Sequence, residues 1–201
     1  MRAEVTPNRR GMKSRELVLD AAERVMAEHG FEAATLARVV AEAGIPMSSV
    51  YHYFGSKDGI LLAVMERGAD RFFAAIPTSE DTERQLAVLS TLQSQHPDFL
   101  RLFYMLSLER SDDPVVAAVV HRVRDTAITR FRDAIVLLLP ADAPPSKAER
   151  VVTELTALAV ALSDGVYFAE QLEPDATDVE LMYRRLSAAV TALIPILLEE
   201  K

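Results

Sequence analysis

Residues Thr35 to Lys57 read TLARVVAEAGIPMSSVYHYFGSK, and the rest of the chain is understood from them. The pattern is two short helices joined by a tight corner. Thr35 can cap the first helix, because its side-chain oxygen accepts an orphan backbone N–H at a helix start. Leu36, Val39 and Val40 follow at the i, i+3, i+4 spacing of one buried face. Gly44 suits the left-handed residue that ends such a helix, since it has no Cβ to clash. Ile45 fills the corner, and Pro46 suits the first turn of a second helix, where its missing N–H costs nothing. Val50 and Phe54 bury one side of that second helix. Met47, Ser48, Ser49, Tyr51 and His52 are left for its other sides. Gly55 stops it and Ser56 caps the next. A helix of about eight residues with a small polar surface is a poor core element, but its size suits the major groove of duplex DNA. The stretch therefore reads as a DNA-binding helix-turn-helix.

Composition bounds the classes available. The chain has 201 residues, half of them apolar and 26% charged, which describes a folded protein with room for a core. It has no cysteine, which excludes disulfides and thiolate metal sites and fits a reducing cytosol. The polar start, Met1-Arg2-Ala3-Glu4, leads into no apolar run, so no secretory signal is expected. The longest apolar-rich stretch, Leu186 to Leu198, falls short of the ~20 residues of a membrane span. A cytoplasmic protein is expected, without a membrane partner.

A net charge of −8 argues at first against a polyanionic partner. The distribution reverses that reading. Residues 1–60 hold eight basic and eight acidic side chains, so residues 61–201 carry the whole excess. Within the first fifteen residues five are basic and only Glu4 is acidic. A basic arm and neutral head can hold phosphate, because contacts within a Debye length of ~10 Å dominate.

The remaining chain is helical in period throughout. Residues 1–11 read as a basic arm. Ser14 reads as the cap of a helix running to about His29, with Leu17, Val18, Ala21, Ala22, Val25 and Met26 inward and Gly30 as its stop. Phe31, Leu36, Val39, Val50 and Phe54 are expected to hold the two short helices against it. From Ser56 a helix runs through Ile60, Leu61, Val64 and Met65 to Phe73, broken at Pro77-Thr78-Ser79-Glu80-Asp81. Further helices are expected from Glu83, from Pro97 and after Asp112-Asp113-Pro114. A Pro-rich loop at 140–145 precedes the last two, from Lys147 to about Leu172 and from Asp175 to about Glu200. The fold class is all-α with about nine helices. The domain division is a helix-turn-helix head over 1–55 and a larger helical body over 56–201.

The last two helices carry more apolar surface than one core needs. Val151, Val152, Leu155, Leu158, Leu162 and Val166 make one stripe, and Leu186 to Leu198 is apolar on nearly every side. A helix apolar all round must be covered all round. Deep burial in one subunit is one way; pairing with a second copy, through Leu158, Leu162, Val166, Leu186, Val190, Leu193 and Leu197, is the other.

Several motifs together are more specific than a generic helix-turn-helix. Ser14-Arg15-Glu16-Leu17-Val18-Leu19-Asp20-Ala21-Ala22 opens one helix and Glu28-His29-Gly30-Phe31 closes it. Thr35, Ala43-Gly44-Ile45, Tyr51-His52-Tyr53-Phe54 and Ser56-Lys57 follow. Over residues 12 to 62 this resembles the tetracycline-repressor-like (TetR) family of transcriptional regulators. Val40, Pro46 and Ser48 depart from the usual family pattern of alanine, serine or threonine, and glycine. Later, Leu162-Ser163-Asp164-Gly165-Val166 and Leu172-Glu173-Pro174 resemble the stretch before the family's last helix. The resemblance implies a homodimer built on the final two helices, with two heads about one DNA turn (~34–36 Å) apart on a palindromic operator. It implies a repressor released by a small, largely apolar effector bound in the body.

Thr35, Tyr51, His52 and Lys57 match family positions that meet DNA phosphates, and each side chain can donate to a phosphate oxygen. Met47, Ser48 and Ser49 fall where base edges are read. No arginine or asparagine lies on that helix; Arg38, on the preceding one, is the bidentate candidate. The resemblance also implies an effector cavity, for which Phe72, Phe103, Tyr104, His121, Phe131, Tyr167 and Phe168 are the candidates; ordinary core packing is the alternative for each. The four histidines have no metal-ligand spacing, there is no glycine-rich phosphate loop, and no nucleophile–base set appears. No catalysis, metal or cofactor is expected. The alternative function is a helical small-molecule binding protein without specific DNA binding.

Overall fold

A computed structural model describes residues 9–30, 34–76 and 82–200, with side chains described for all of these except 9, 10, 27 and 82–87. The described residues form nine helices and no strand: α1 (Arg9–His29), α2 (Leu36–Ala43), α3 (Met47–Phe54), α4 (Lys57–Ala74), α5 (Thr82–Gln95), α6 (Pro97–Glu109), α7 (Pro114–Val136), α8 (Pro145–Leu172) and α9 (Val179–Glu199). The chain is all-α, as its periodicity requires. Most of the expected arm, with Phe31 and the 77–81 break, lies outside the described residues. By packing, one unit comprises Met1–Asp70 with Asp98–Val120, and the other Arg71–Pro97 with His121–Lys201.

The first unit is built on α1, which packs against α2 and α3. It starts at Arg9, so Ser14 lies inside a helix that it was expected to cap, and residues 9–11 are helical instead of arm. Gly11 near a helix start costs at most about 1 kcal/mol, which the flanking helix formers and the buried turns beyond offset. Val18, Leu19, Ala21 and Ala22 are fully buried, whereas Leu17 is 43% exposed and leaves the expected stripe. Fully burying a leucine or valine contributes about 1.5–3 kcal/mol.

Arg67 of α4 is tied to α1 by the carboxylates of that helix. Its Nη1 donates to Glu16 Oε2 at 3.0 Å and Asp20 Oδ1 at 2.8 Å, and its Nε to Glu23 Oε1 at 3.0 Å. Burial alone would lower the Arg67 pKa, but the bonds and charge of Glu23, then Glu16 and Asp20, hold it above its ordinary value. Farther along α4, Gly68 meets α6 so closely that a Cβ there would lie 2.9 Å from Phe99 Cβ.

The second unit centres on α8 and α9, with α5 packed on α9. Its core holds Ile135, Val151, Val152, Leu155, Ala159, Val166, Tyr183, Leu186, Val190 and Ile194. A buried polar chain runs through it. The Tyr183 hydroxyl donates to Gln93 Oε1 at 3.0 Å and shares a 3.0 Å bond with Ser163 Oγ; Gln93 Nε2 donates to Glu170 Oε2 at 2.7 Å. Asp164 takes both Nη atoms of Arg124, at 2.7 and 2.6 Å. Asp178 caps α9, three residues later than the expected start, by accepting from Leu181 N–H at 2.8 Å. One expectation is corrected: α8 and α9 are each long and apolar enough, by length and composition alone, to cross a membrane. Apolar character in α9 reaches back beyond Leu186 through Val179, Leu181 and Met182. Core helices meet the same measure, and both helices supply core side chains.

Candidate DNA-binding surface

The corner before α3 is fixed from both sides. Thr35 adopts φ −75°, ψ 153°, and its Oγ1 accepts from Arg38 N–H at 3.3 Å, capping α2. Gly44 closes α2 at φ 64°, ψ 26°, its N–H donating to Val40 O at 3.0 Å. That left-handed geometry penalises any side chain with a Cβ. Pro46 sits one position ahead of the expected place, outside the first turn; its carbonyl accepts from Ser49 N–H at 2.9 Å. Ile45 is buried and Val50 fully so, which anchors α3 by one face. An ion pair between Arg24 and Glu42 at 2.8 Å links α1 to α2, and the Arg15 guanidinium lies 5.4 Å from the Phe54 ring centre.

The far end of α3 is fixed equally well. Gly55 takes φ 71° and its N–H donates to Tyr51 O at 2.9 Å. Ser56 Oγ then accepts from Gly59 N–H at 3.0 Å, capping α4. At Gly59 the first turn of α4 abuts the Phe54 carbonyl so tightly that a Cβ there would collide with the oxygen.

The expected DNA-contacting residues are then placed as follows. Met47 (36%), Ser48, Tyr51 (51%) and His52 are exposed on α3, with Ser49 half-buried beside them. Thr35 and Arg38 are exposed at the start of α2, and Lys57, half-buried, is the first residue of α4. The His52 ring stands edge-on to Tyr53 at 5.5 Å. The surface is therefore apolar at Met47, hydrogen-bonding at the serines and Tyr51, and cationic at Arg38 and Lys57.

The effector candidates are divided between the two units. Phe103 and Tyr104 belong to the first unit, with rings 5.2 Å apart; Phe72, His121, Phe131, Tyr167 and Phe168 belong to the second. His121 and Phe168 are on the surface, and Phe131 packs against the core. The interface candidates also divide. Leu158 and Leu162 are 38% and 40% exposed, but Val166, Leu186 and Val190 are buried in their own chain, and Leu193 and Leu197 pack partly against that core. Those three residues serve chiefly the core of their own chain. Gly59, Arg67, Gly68 and Gln93 escaped the sequence reading, since each acts on a neighbour distant in sequence or across a turn.

A short helix pinned along one face, stopped by Gly55 and open on the other face, defines a helix-turn-helix DNA-binding regulator. Residues 18–64 match the family described as bacterial regulatory proteins, tetR family. Over those residues the chain carries the DNA-binding domain of that family, and it is a DNA-binding transcriptional regulator. It is 28% identical over 178 residues to the HTH-type transcriptional regulator BetI of Brucella canis, covering 83% of this chain and 84% of that protein. Among solved structures, it is similar to a transcriptional regulator of Rhodococcus sp. Rha1, with a TM-score of 0.68 at 20% identity, covering 90% of this chain and 96% of that one. A second similar structure is a putative transcriptional regulator of Saccharomonospora viridis in complex with choline, with a TM-score of 0.66 at 21% identity, covering 89% and 96%.

Proposed function

We propose that the protein is a cytoplasmic homodimeric repressor that binds a palindromic operator and is released by a small, largely apolar effector. The observation that carries this is the open face of α3, where Met47, Ser48, Tyr51 and His52 are exposed while Val50 is locked beneath them. In this reading Met47, Ser48 and Ser49 meet base edges, methionine by contact with a thymine methyl group. Thr35, Tyr51, His52 and Lys57 meet phosphates, and Arg38 meets either. Residues 1–55 form the reading head, and 56–201 carry the effector site and the dimer contact.

The dimer is supported by a second apolar face on α8 and α9. Leu158, Leu162, Phe168, Leu181, Met182 and Ile196 are all at least 38% exposed. Paired across a twofold axis, such a face would place two copies of α3 at one operator. Choline, in complex with the Saccharomonospora protein, is a first effector probe of a cationic kind, which a pocket with aromatic faces beside its apolar lining could hold.

Selection of bound duplexes from a random pool, followed by sedimentation of the protein with the selected DNA, tests the reading. A palindromic consensus bound by two subunits is expected. A protein that sediments as one subunit and binds no duplex at low salt would refute it.

A further inference from the structure

Arg110, at the end of α6, lies 52 residues from Asp58 along the chain, yet it grips the first turn of α4. Its Nη1 and Nη2 donate to the two carboxylate oxygens of Asp58 at 3.3 and 2.9 Å, and Nη2 also donates to Asp113 Oδ2 at 3.2 Å. Asp113 is itself held, because its Oδ1 accepts from Val115 N–H at 2.9 Å and Val116 N–H at 3.3 Å, capping α7. One guanidinium therefore ties together two helix starts. Asp58 above all holds Arg110 over its ordinary pKa, while the Val116 and Val115 amides hold Asp113 below its own.

A lone exposed ion pair contributes little, but a fork on a fixed carboxylate network is the geometry in which such pairs do matter. Two further contacts extend the grip. α4 and α6 run antiparallel, with Asp58–Arg110 at one end and Gly68 against Phe99, with no room for a Cβ, at the other. Beside Asp58, Gly59 abuts the Phe54 carbonyl, the last residue of α3, again with no room for a Cβ. A shift of the first turn of α4 must therefore move the end of α3 and Lys57 together. Helix α6 accordingly packs within the same unit as the helix-turn-helix.

We infer that Arg110 is a positioning residue for DNA recognition, holding α4's first turn, and through it α3 and Lys57, from outside the helix-turn-helix. The inference rests on the proposal that α3 and Lys57 meet DNA. Without the fork, a smaller fraction of molecules would present α3 correctly, and apparent affinity falls with that fraction.

The test uses the full chain and a duplex selected from a random pool, beside an unrelated duplex. Arg110→Lys keeps the charge but loses the fork, and it is expected to bind the selected duplex about three- to tenfold more weakly. Its binding to the unrelated duplex should fall less, by no more than the share that the Lys57 phosphate contact carries. Asp58→Asn should also weaken selected-site binding, although it removes a negative charge from the phosphate side. Thermal melts establish that each variant is folded. Lysine binding as well as arginine would reduce the role to charge, and Asp58→Asn binding more tightly than the parent would make Asp58 a mere repelling group; either overturns the inference. A parent protein that binds no duplex fails earlier, at the DNA reading itself.

Discussion

Tyr183 shows at one residue how burial becomes a pH dependence. Desolvation pushes its phenol from ~10 to about 12; the Ser163 bond opposes the rise, and the charges of Asp164 and Glu170 add to it. A raised pKa means that the folded state holds the proton more tightly than the unfolded one. Its share of stability is whole below pH ~10 and is lost as pH climbs toward 12, roughly 2–3 kcal/mol in all. Denaturant titrations from pH 8 to 12 should show this alkaline fall in the parent and a smaller one in Tyr183→Phe; parallel curves would refute it. The glycines show which residues a sequence reveals. Gly44 and Gly55 were legible because a left-handed residue at a helix end is a local requirement. Gly59 and Gly68 were not, because the reason for each is a neighbouring atom on another helix.

Helix α8 carries the same lesson at the scale of an element. Its period of 3.6 announced a buried stripe, but a helix with two apolar faces does not say which one turns inward. Val151, Val152, Leu155, Ala159 and Val166 do so, while Leu158 and Leu162 were grouped with that stripe and face outward. Gly165 lies exposed on α8, with nothing within 4 Å of the position a Cβ would take. In an isolated chain Gly165→Ala should therefore stabilise the helix by about 1 kcal/mol. If a second copy covers the face, the added methyl appears twice in a close-packed seam and costs about 1–3 kcal/mol. We expect sedimentation to show Gly165→Ala dissociating at a concentration at least about fivefold higher than the parent. A variant that melts higher and pairs equally well would remove Gly165 from the interface. Helix starts were legible at Thr35 and Ser56, whose caps the sequence marks, but α9 takes Asp178 as its cap, three residues past the expected Asp175.

For the whole molecule, the division of charge decides how it approaches DNA. All of the −8 resides beyond residue 60, so an acidic body follows a neutral head. The all-α class and the reading head could be recognised from local periods and caps. That α6 packs in one unit with the head could not, because it depends on pairs such as Asp58–Arg110 and Gly68–Phe99, far apart in sequence. An acidic body repels phosphate from any wrong orientation, so each cation at the head should count in the salt dependence. Lys57, at the first position of α4, is the clearest case. Removing one phosphate contact per site lowers the slope of log K against log salt by about one unit and weakens all sequences alike. Lys57→Ala should do both when binding to selected and unrelated duplexes is measured from low to moderate salt. An unchanged slope would place the Lys57 ammonium away from the backbone, and a loss confined to the selected duplex would make it a reader of bases instead.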